Sequence, residues 1–317
     1  MKLIFIIIFT FMLLLYCIIN LYIIKKSKNE YYKCYNNNNS QYIQNDYIIR
    51  DDFKNIFCFW NDKFLPPLIN ECVKKIKYKM PEWTIILLND KTIFELINKS
   101  DLPVNLPSLN IQAKTDWYRL YLLYNYGGLW LDISIVLNDP EEINKMYKKV
   151  AYENIDIGCF SLEKHSFYFN NNKYVCIENS CLLTKAKNSI IKLWLYEFEY
   201  AISIGFNQYS DYIYKNKFVL TNTPISKGIY HTAYKCFMVI IQKNNIDFNK
   251  IYMRDAEKTI FKYHMKFDWN SKLIINKLIR SREYCNIKII GDDRKYFDNN
   301  IHFLKIFLKI YFDIEYC

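Results

Sequence analysis

Apolar and polar positions along the chain follow two periods, and the order of those periods predicts an α/β protein. "NIFCFW", ending at Trp60, is a short apolar run and predicts a strand. "PPLINECVKKIKYKM" opens on two prolines. It then sets Leu68, Cys72, Val73 and Ile76 on one helical stripe with lysines on the other side. "EWTIILLND" predicts a second strand closed by Asn89 and Asp90, and "KTIFELINK" a short helix. A proline-bearing loop over 101–110 leads to a helix from Gln112 to Tyr126, and "LWLDIS" restarts as a strand. This succession predicts a mainly parallel, Rossmann-like sheet covered by helices on both faces. Ligands of such sheets sit at the carboxyl ends of the strands, where Trp60, Asn89, Asp90 and Asp132 fall. Beyond residue 150 the pattern is weaker. "IDIGCF", "YVCIENSCLLT" and "NIKII" read as strands, "NSIIKLWLYEFEYAI" and "TAYKCFMVIIQK" as helices, and there is no internal repeat.

The two ends of the chain add to this picture. Leu3 to Ile24 is apolar apart from Thr10 and Asn20 and carries no charge. As a helix it spans roughly 33 Å, enough for a bilayer core of about 30 Å. The run is longer than the apolar part of a signal peptide, and no small-x-small cleavage site follows it. The sequence therefore predicts an uncleaved single-pass anchor over 1–28, of ER or Golgi type in a eukaryotic or viral setting. Its orientation stays open, because Lys2 competes with Lys25, Lys26 and Lys28. Residues 29–53, rich in Asn and Tyr, read as a stem. At the other end, "NNIHFLKIFLKIYFDI" places Ile301, Leu304, Leu308 and Tyr311 on one stripe. It reads as a terminal helix docked on the domain or, alternatively, as an interfacial helix against lipid.

Composition narrows the class. With 317 residues, 51% of them apolar and 18% aromatic, the chain has material for a large core and is not disordered. The formal charge is +11, but the lysines are dispersed and no nucleic-acid-binding motif accompanies them, so no nucleic-acid partner is expected. Attraction to anionic lipid or to a nucleotide diphosphate remains open. The 10 cysteines lack CxxC pairs and His spacing, which argues against a zinc site.

"KTDWYRLYLLYNYGGLWLDIS", Lys114 to Ser134, holds the candidate chemistry. Asp116 and Arg119, three apart on the helix, are neighbours. They form either a surface ion pair, worth roughly 0.2–0.5 kcal/mol, or a polar grip on a ligand at the edge of a buried face. Gly127 and Gly128 end the helix and reverse the chain without a β-carbon in the way. The strand that follows delivers Asp132 towards Asp116 and Arg119.

In this order of residues the segment resembles the sugar-nucleotide-binding core of the DXD glycosyltransferases related to capsular polysaccharide synthesis proteins and to glycosyltransferases with a sugar-binding DXD region. The resemblance covers roughly 54–200 and is strongest over Lys114–Ser134; "FCFWND" and "ENSCLL" fit as well. It implies a GT-A-like fold over 54–317, with a donor-binding core over about 54–200 and an acceptor-side part over about 201–317. It also implies retaining transfer of a sugar, hexose-like, from a nucleotide-diphosphate donor, a UDP-sugar, to a glycan, lipid or protein acceptor. Carried over residue by residue, Asp116 and Arg119 contact the donor sugar, Asp132 holds the ribose and the metal–diphosphate unit, Trp60 stacks on the base, and Asn179 lies near the sugar. The implied cofactor is a divalent Mn²⁺ or Mg²⁺ on Asp132. Ser134 stands where the second Asp of the motif belongs and offers only a neutral oxygen.

Asp139 and the "GDDR" knot at Gly291–Arg294 are alternative sources of a second acid, although a turn cap and a solvated turn explain them as well. Glu153, Asp156 and Glu178 are further candidates for a catalytic carboxylate. Two rival functions follow from Ser134 and from the charge: a degenerate family member that binds sugar or a partner without turnover, and a basic membrane-tethered binding protein.

Overall fold

In the computed structural model the described residues are 9–19, 22, 25–26, 48–62, 64–221 and 228–313. Among them a single six-stranded sheet forms the centre. Its strands are β1 (Asn55–Phe59), β2 (Thr84–Leu88), β3 (Gly128–Leu131), β5 (Ile157–Phe169), β6 (Asn172–Thr184) and β7 (Ile251–Asp255). They run in the order β2-β1-β3-β6-β5-β7. β1 pairs parallel with β2 and β3, and β5 parallel with β7, whereas β6 lies antiparallel between β3 and β5. The predicted α/β class is therefore correct, and the parallel expectation holds for three of the five neighbouring pairs. The exception arises because β5 and β6 are a hairpin. Asn170 and Asn171 turn it with φ of 49° and 62°, conformations that asparagine tolerates in a two-residue turn.

Helices cover the sheet as the apolar stripes require. α1 (Pro67–Lys79) starts at the proline pair, and its Leu68, Cys72, Val73 and Ile76 are buried. α2 (Ile111–Tyr126) is capped by Asn110, whose side chain accepts from the Ala113 N–H at 2.9 Å. "KTIFELINK" forms only a 3₁₀ turn at Thr92–Glu95, not the predicted helix. The Asn89 side chain there accepts from the N–H groups of Lys91 and Thr92, satisfying the first donors within one turn.

The end of α2 follows the expectation closely. Gly127 has φ 64° and its N–H donates to the Leu123 carbonyl at 3.0 Å; Gly128 has φ 102°. A β-carbon on Gly128 would stand 2.6 Å from the Asn55 carbonyl oxygen, and one on Gly127 would stand 2.5 Å from the Ala186 nitrogen. Gly128→Ala combines a strained backbone with a backbone clash and is expected to lower stability by at least about 2 kcal/mol. Urea unfolding checks this, and an unchanged midpoint would refute it.

A second, smaller core lies beside the first. After α2 come α3 (Glu141–Tyr152), α4 (Ser189–Ile204), α5 (Phe206–Lys215), α6 (Thr232–Asn244) and α7 (Lys262–Lys266), and the second core joins Leu68 and Cys72 of α1 to α8 (Ser271–Arg280), α9 (Gly291–Asn299) and α10 (Ile301–Phe312). Ile301, Leu304, Phe307, Leu308 and Tyr311 of α10 are all buried there, so the C-terminal segment is a docked core helix and not a lipid-facing one. Lys75 donates to the Tyr311 carbonyl at 2.6 Å and to the Asn138 side chain at 2.5 Å, which ties the helix end to α1. "GDDR" is the first turn of α9 and not a solvated loop. Asp293 is wholly buried and meets the equally buried His264 at 2.8 Å.

Residues 9–19 are helical, and Phe9, Phe11 and Leu14 on them are exposed. No helix among the described residues is long and apolar enough to cross a membrane. Both ends of the predicted span lie outside the described residues, as does most of the predicted stem.

Candidate functional site

Three parallel strands end at one edge of the sheet, and each is followed at once by a residue singled out by the sequence: Trp60 after β1, Asn89 after β2, Asp132 after β3. Asn89 is spent on the local cap. The Asp132 N–H donates to the Ser180 carbonyl of β6 at 2.8 Å, and its own carbonyl accepts from Ile135 at 3.0 Å. This tight turn leads into β4 (Ile135–Val136), which pairs antiparallel with β8 (Ile287–Lys288), placing Ile135 opposite Lys288. A lysine more than 150 positions along the chain is thereby brought to the aspartate.

The charged groups interlock. Arg119 is 4% exposed. Its Nη1 donates to Asp116 Oδ1 at 2.6 Å and its Nη2 to Asp132 Oδ1 at 3.2 Å, with the guanidinium 5.0 Å from the centre of the Trp130 ring. The Trp130 indole N–H donates to the same Asp132 oxygen at 2.9 Å. Lys288 takes the other one, with Nζ 3.1 Å from Oδ2, and also reaches Glu178 Oε1 at 3.0 Å. Asn179 donates to Asp116 at 3.0 Å. The Tyr234 hydroxyl contacts both Asn179 Oδ1, at 2.9 Å, and Glu178 Oε2, at 3.0 Å. The Asp116–Arg119 pair is thus a buried bridge between the helix and the strand end, not a surface ion pair. Asp116 also lines a small cleft of about 80 Å³, whose other walls include Asn110, Phe198, Phe206 and Tyr230.

Environment separates the three carboxylates. Burial pushes Asp116 up to about 6, against the pull of Arg119 and the hydrogen bond from Asn179. Burial works the same way on Asp132, but Lys288 and Arg119 outweigh it and hold Asp132 below the ordinary carboxylate range. Glu178 is likewise held down, burial being overcome chiefly by Lys288. Burial disfavours the Lys288 charge, yet Glu178 and Asp132 raise it above the usual lysine value. Asp132 and Glu178 are therefore fixed anions, while Asp116 changes charge near neutral pH.

That difference has a measurable consequence. Below about pH 4 Asp116 is neutral in both the folded and unfolded chains. Between about pH 4 and 6 only the unfolded chain ionises, so this group's contribution to stability falls as pH rises, by up to about 3 kcal/mol. Asp116→Asn is expected to gain on the wild type across that window, measured by urea unfolding at stepped pH. A stability difference that does not change with pH would rule this out.

Of the residues predicted from sequence, Asp116, Arg119, Asp132 and Asn179 are joined by direct hydrogen bonds. Ser134 is buried in the same turn, where its carbonyl accepts from Ile289 at 3.0 Å. Trp60 lies under the Arg294 guanidinium, 5.7 Å from its ring centre. Among the three carboxylate candidates Glu178 belongs to the cluster. Glu153 pairs with Lys149 on the surface, and Asp156 sits at the opposite edge of the sheet, its carbonyl accepting from Thr184. Asp139 accepts from the Glu141 N–H at 2.9 Å and so closes the turn before the helix that follows, whose N-cap is Pro140. Lys288, Trp130, Tyr234 and Arg294 escaped the sequence reading. Only the "GDDR" knot hinted at Arg294.

The residues present do not suit a divalent ion held by the protein. Both Asp132 oxygens are engaged by cationic or N–H donors, and Ser134 adds no charge. A doubly charged ion about 4 Å from the Lys288 ammonium would be repelled by about 8 kcal/mol at an effective dielectric of 20. Among the described residues no three His, Cys, Asp or Glu side chains form a group able to hold a metal.

The carboxylate–cation cluster lies at the carboxyl edge of an α/β sheet, the edge at which sheets of this class hold their ligands. Residues 18–280 match the family described as capsular polysaccharide synthesis protein, and the chain belongs to that family. Curated proteins give no match. A solved structure named "PaToxG Glycosyltransferase" aligns at 12% identity over 91% of this chain and 97% of its own, with a TM-score of 0.31.

Proposed function

We propose that the protein is a GT-A-like glycosyltransferase that moves a sugar from a nucleotide-diphosphate donor, a UDP-sugar, to a glycan, lipid or protein acceptor. The observation that carries this reading is the bridge Asp116–Arg119–Asp132, at the end of the strand sheet and open to the cleft through Asp116. A sugar in that cleft meets a carboxylate that accepts from hydroxyls, backed by a guanidinium that cannot move without breaking two ion pairs. Trp60 offers a flat face for a base at the end of β1. Catalysis comes from holding the donor in one geometry and from fixed charges around the leaving diphosphate. A retaining outcome and a hexose donor follow the resemblance. No step is assigned to a metal.

Residues 9–19, with exposed apolar side chains, support a membrane attachment that would keep the enzyme near a lipid-linked or membrane-borne acceptor. The saturated Asp132 favours one rival: a family member that binds a sugar nucleotide without turning it over.

Hydrolysis and transfer measured over a panel of nucleotide sugars decide between them. Slow donor hydrolysis that Asp132→Asn abolishes supports the enzyme, and the anomeric proton signals of the product report retention. Tight donor binding with no hydrolysis and no transfer supports the binding protein. No interaction with any nucleotide sugar would overturn both.

A further inference from the structure

The sequence leaves the second acid of the motif as Ser134, and the structure fills the space around it with positive charge. We propose that Lys288 and Arg294 form a built-in cationic subsite that takes the diphosphate of a nucleoside-diphosphate ligand and makes its binding independent of a divalent ion. The inference rests on reading the cluster as a nucleotide-sugar site.

Arg294 is the telling residue. It belongs to the first turn of α9, and its Nη1 donates to the Ile289 carbonyl at 2.8 Å. Ile289 in turn donates its N–H to Ser134 at 3.0 Å, so the guanidinium is folded back onto the strand that borders Asp132 and Ser134. It stacks over Trp60, the residue proposed to receive the base. No carboxylate lies within ion-pair distance of it among the described residues, whereas Arg119 has two. Burial pushes its charge down from the usual arginine value, and Asp132 acts on it only at longer range. A half-buried guanidinium with no ion pair, beside a tryptophan face, is a prepared seat for an oxyanion. Lys288 completes the seat. Its ammonium has three N–H donors, of which Glu178 and Asp132 take two. The third is left for a phosphate oxygen. Glu178, itself anchored by the Ser180 N–H at 3.2 Å and by Tyr234, keeps the lysine in place.

Two cations from different elements, β8 and α9, offer positive charge to more than one phosphate group. This also removes the task of a metal, which is to bring positive charge to those groups. Here Lys288 already occupies the Asp132 oxygen that an ion would need.

Calorimetric titration of the full chain with UDP, GDP, UMP and inorganic pyrophosphate tests this, with EDTA or with millimolar Mn²⁺. The proposal expects a nucleoside diphosphate to bind in EDTA within about threefold of its affinity in Mn²⁺. Arg294→Gln should weaken that binding about tenfold or more, the size of a lost charged contact, and leave UMP within about threefold. Arg294→Gln breaks no ion pair and gives up the hydrogen bond to Ile289 and the contact with Trp60, so a folded protein with a small drop in melting temperature is expected. Lys288→Arg should retain binding, and Lys288→Gln should lose it. Should Lys288→Gln fail to fold, Arg294→Gln alone decides. Binding that requires Mn²⁺, or a folded Arg294→Gln that binds like the wild type, overturns the subsite and leaves the glycosyltransferase reading standing. No binding of any nucleotide in either condition overturns both.

Discussion

Asp132→Asn is expected to lower sugar transfer by about 10²–10³-fold while the protein stays folded, the loss typical of one preorganised charged contact in a reaction site. The substitution keeps the shape of the side chain and removes its charge. Each cation around it retains a carboxylate, Arg119 on Asp116 and Lys288 on Glu178. The structural cost is therefore about 1–2 kcal/mol, small beside the catalytic effect. Circular dichroism and urea unfolding give the first quantity and nucleotide-sugar turnover the second. Ser134→Ala should reduce turnover far less, because the contact of this residue with Ile289 uses the backbone carbonyl. Wild-type turnover in Asp132→Asn would remove this residue from the site.

Arg119→Ala is expected to cost about 3–5 kcal/mol of stability, against the 1 kcal/mol or less of a surface pair. The guanidinium is the shared partner of Asp116 and Asp132, and burial penalises the charge of both carboxylates, a penalty that Arg119 helps to offset. Without it, Asp116 keeps only the amide of Asn179, and its proton affinity rises further. The loss should therefore be smaller at about pH 5 than at about pH 8. Adding Asp116→Asn to Arg119→Ala should recover part of the stability, since one of the stranded anions is gone. Equilibrium unfolding of the two single variants and the double variant measures this coupling. Strict additivity would mean that the bridge is not an energetic unit. Turnover should fall in all three, because each removes a group proposed to hold the donor.

The residues that carry these predictions differ in how far they can be read from the chain. Asp116 and Arg119 could be paired in advance, because a helix places residues three apart side by side. Trp60, Asn89 and Asp132 could be put at strand ends, because apolar runs stop where the chain leaves the core. The glycine pair announced its turn, because only glycine accepts φ of 64° and 102° next to the Ala186 and Asn55 backbones. Local sterics and burial periodicity act within a few residues, so a sequence displays them directly.

The sequence by itself thus determined the α/β class, three strand ends and one arm of the site. Other features came only with the tertiary structure. The apolar run of β6 has the same alternation whether it lies parallel or antiparallel to β3, so its direction emerged only with the hairpin at Asn170 and Asn171. Lys288 is one of many lysines in a basic chain. Nothing local marks it, because β4 and β8 are two residues each and too short to show a period. Their pairing places it between Asp132 and Glu178. The Asp116–Arg119 pair looked the same on paper whether exposed or buried, and the packing of α2 against the helix Ser189–Ile204, β3 and β1 decided for burial. Charge acts through distance and desolvation, and both are properties of the folded chain that neighbours in sequence do not carry.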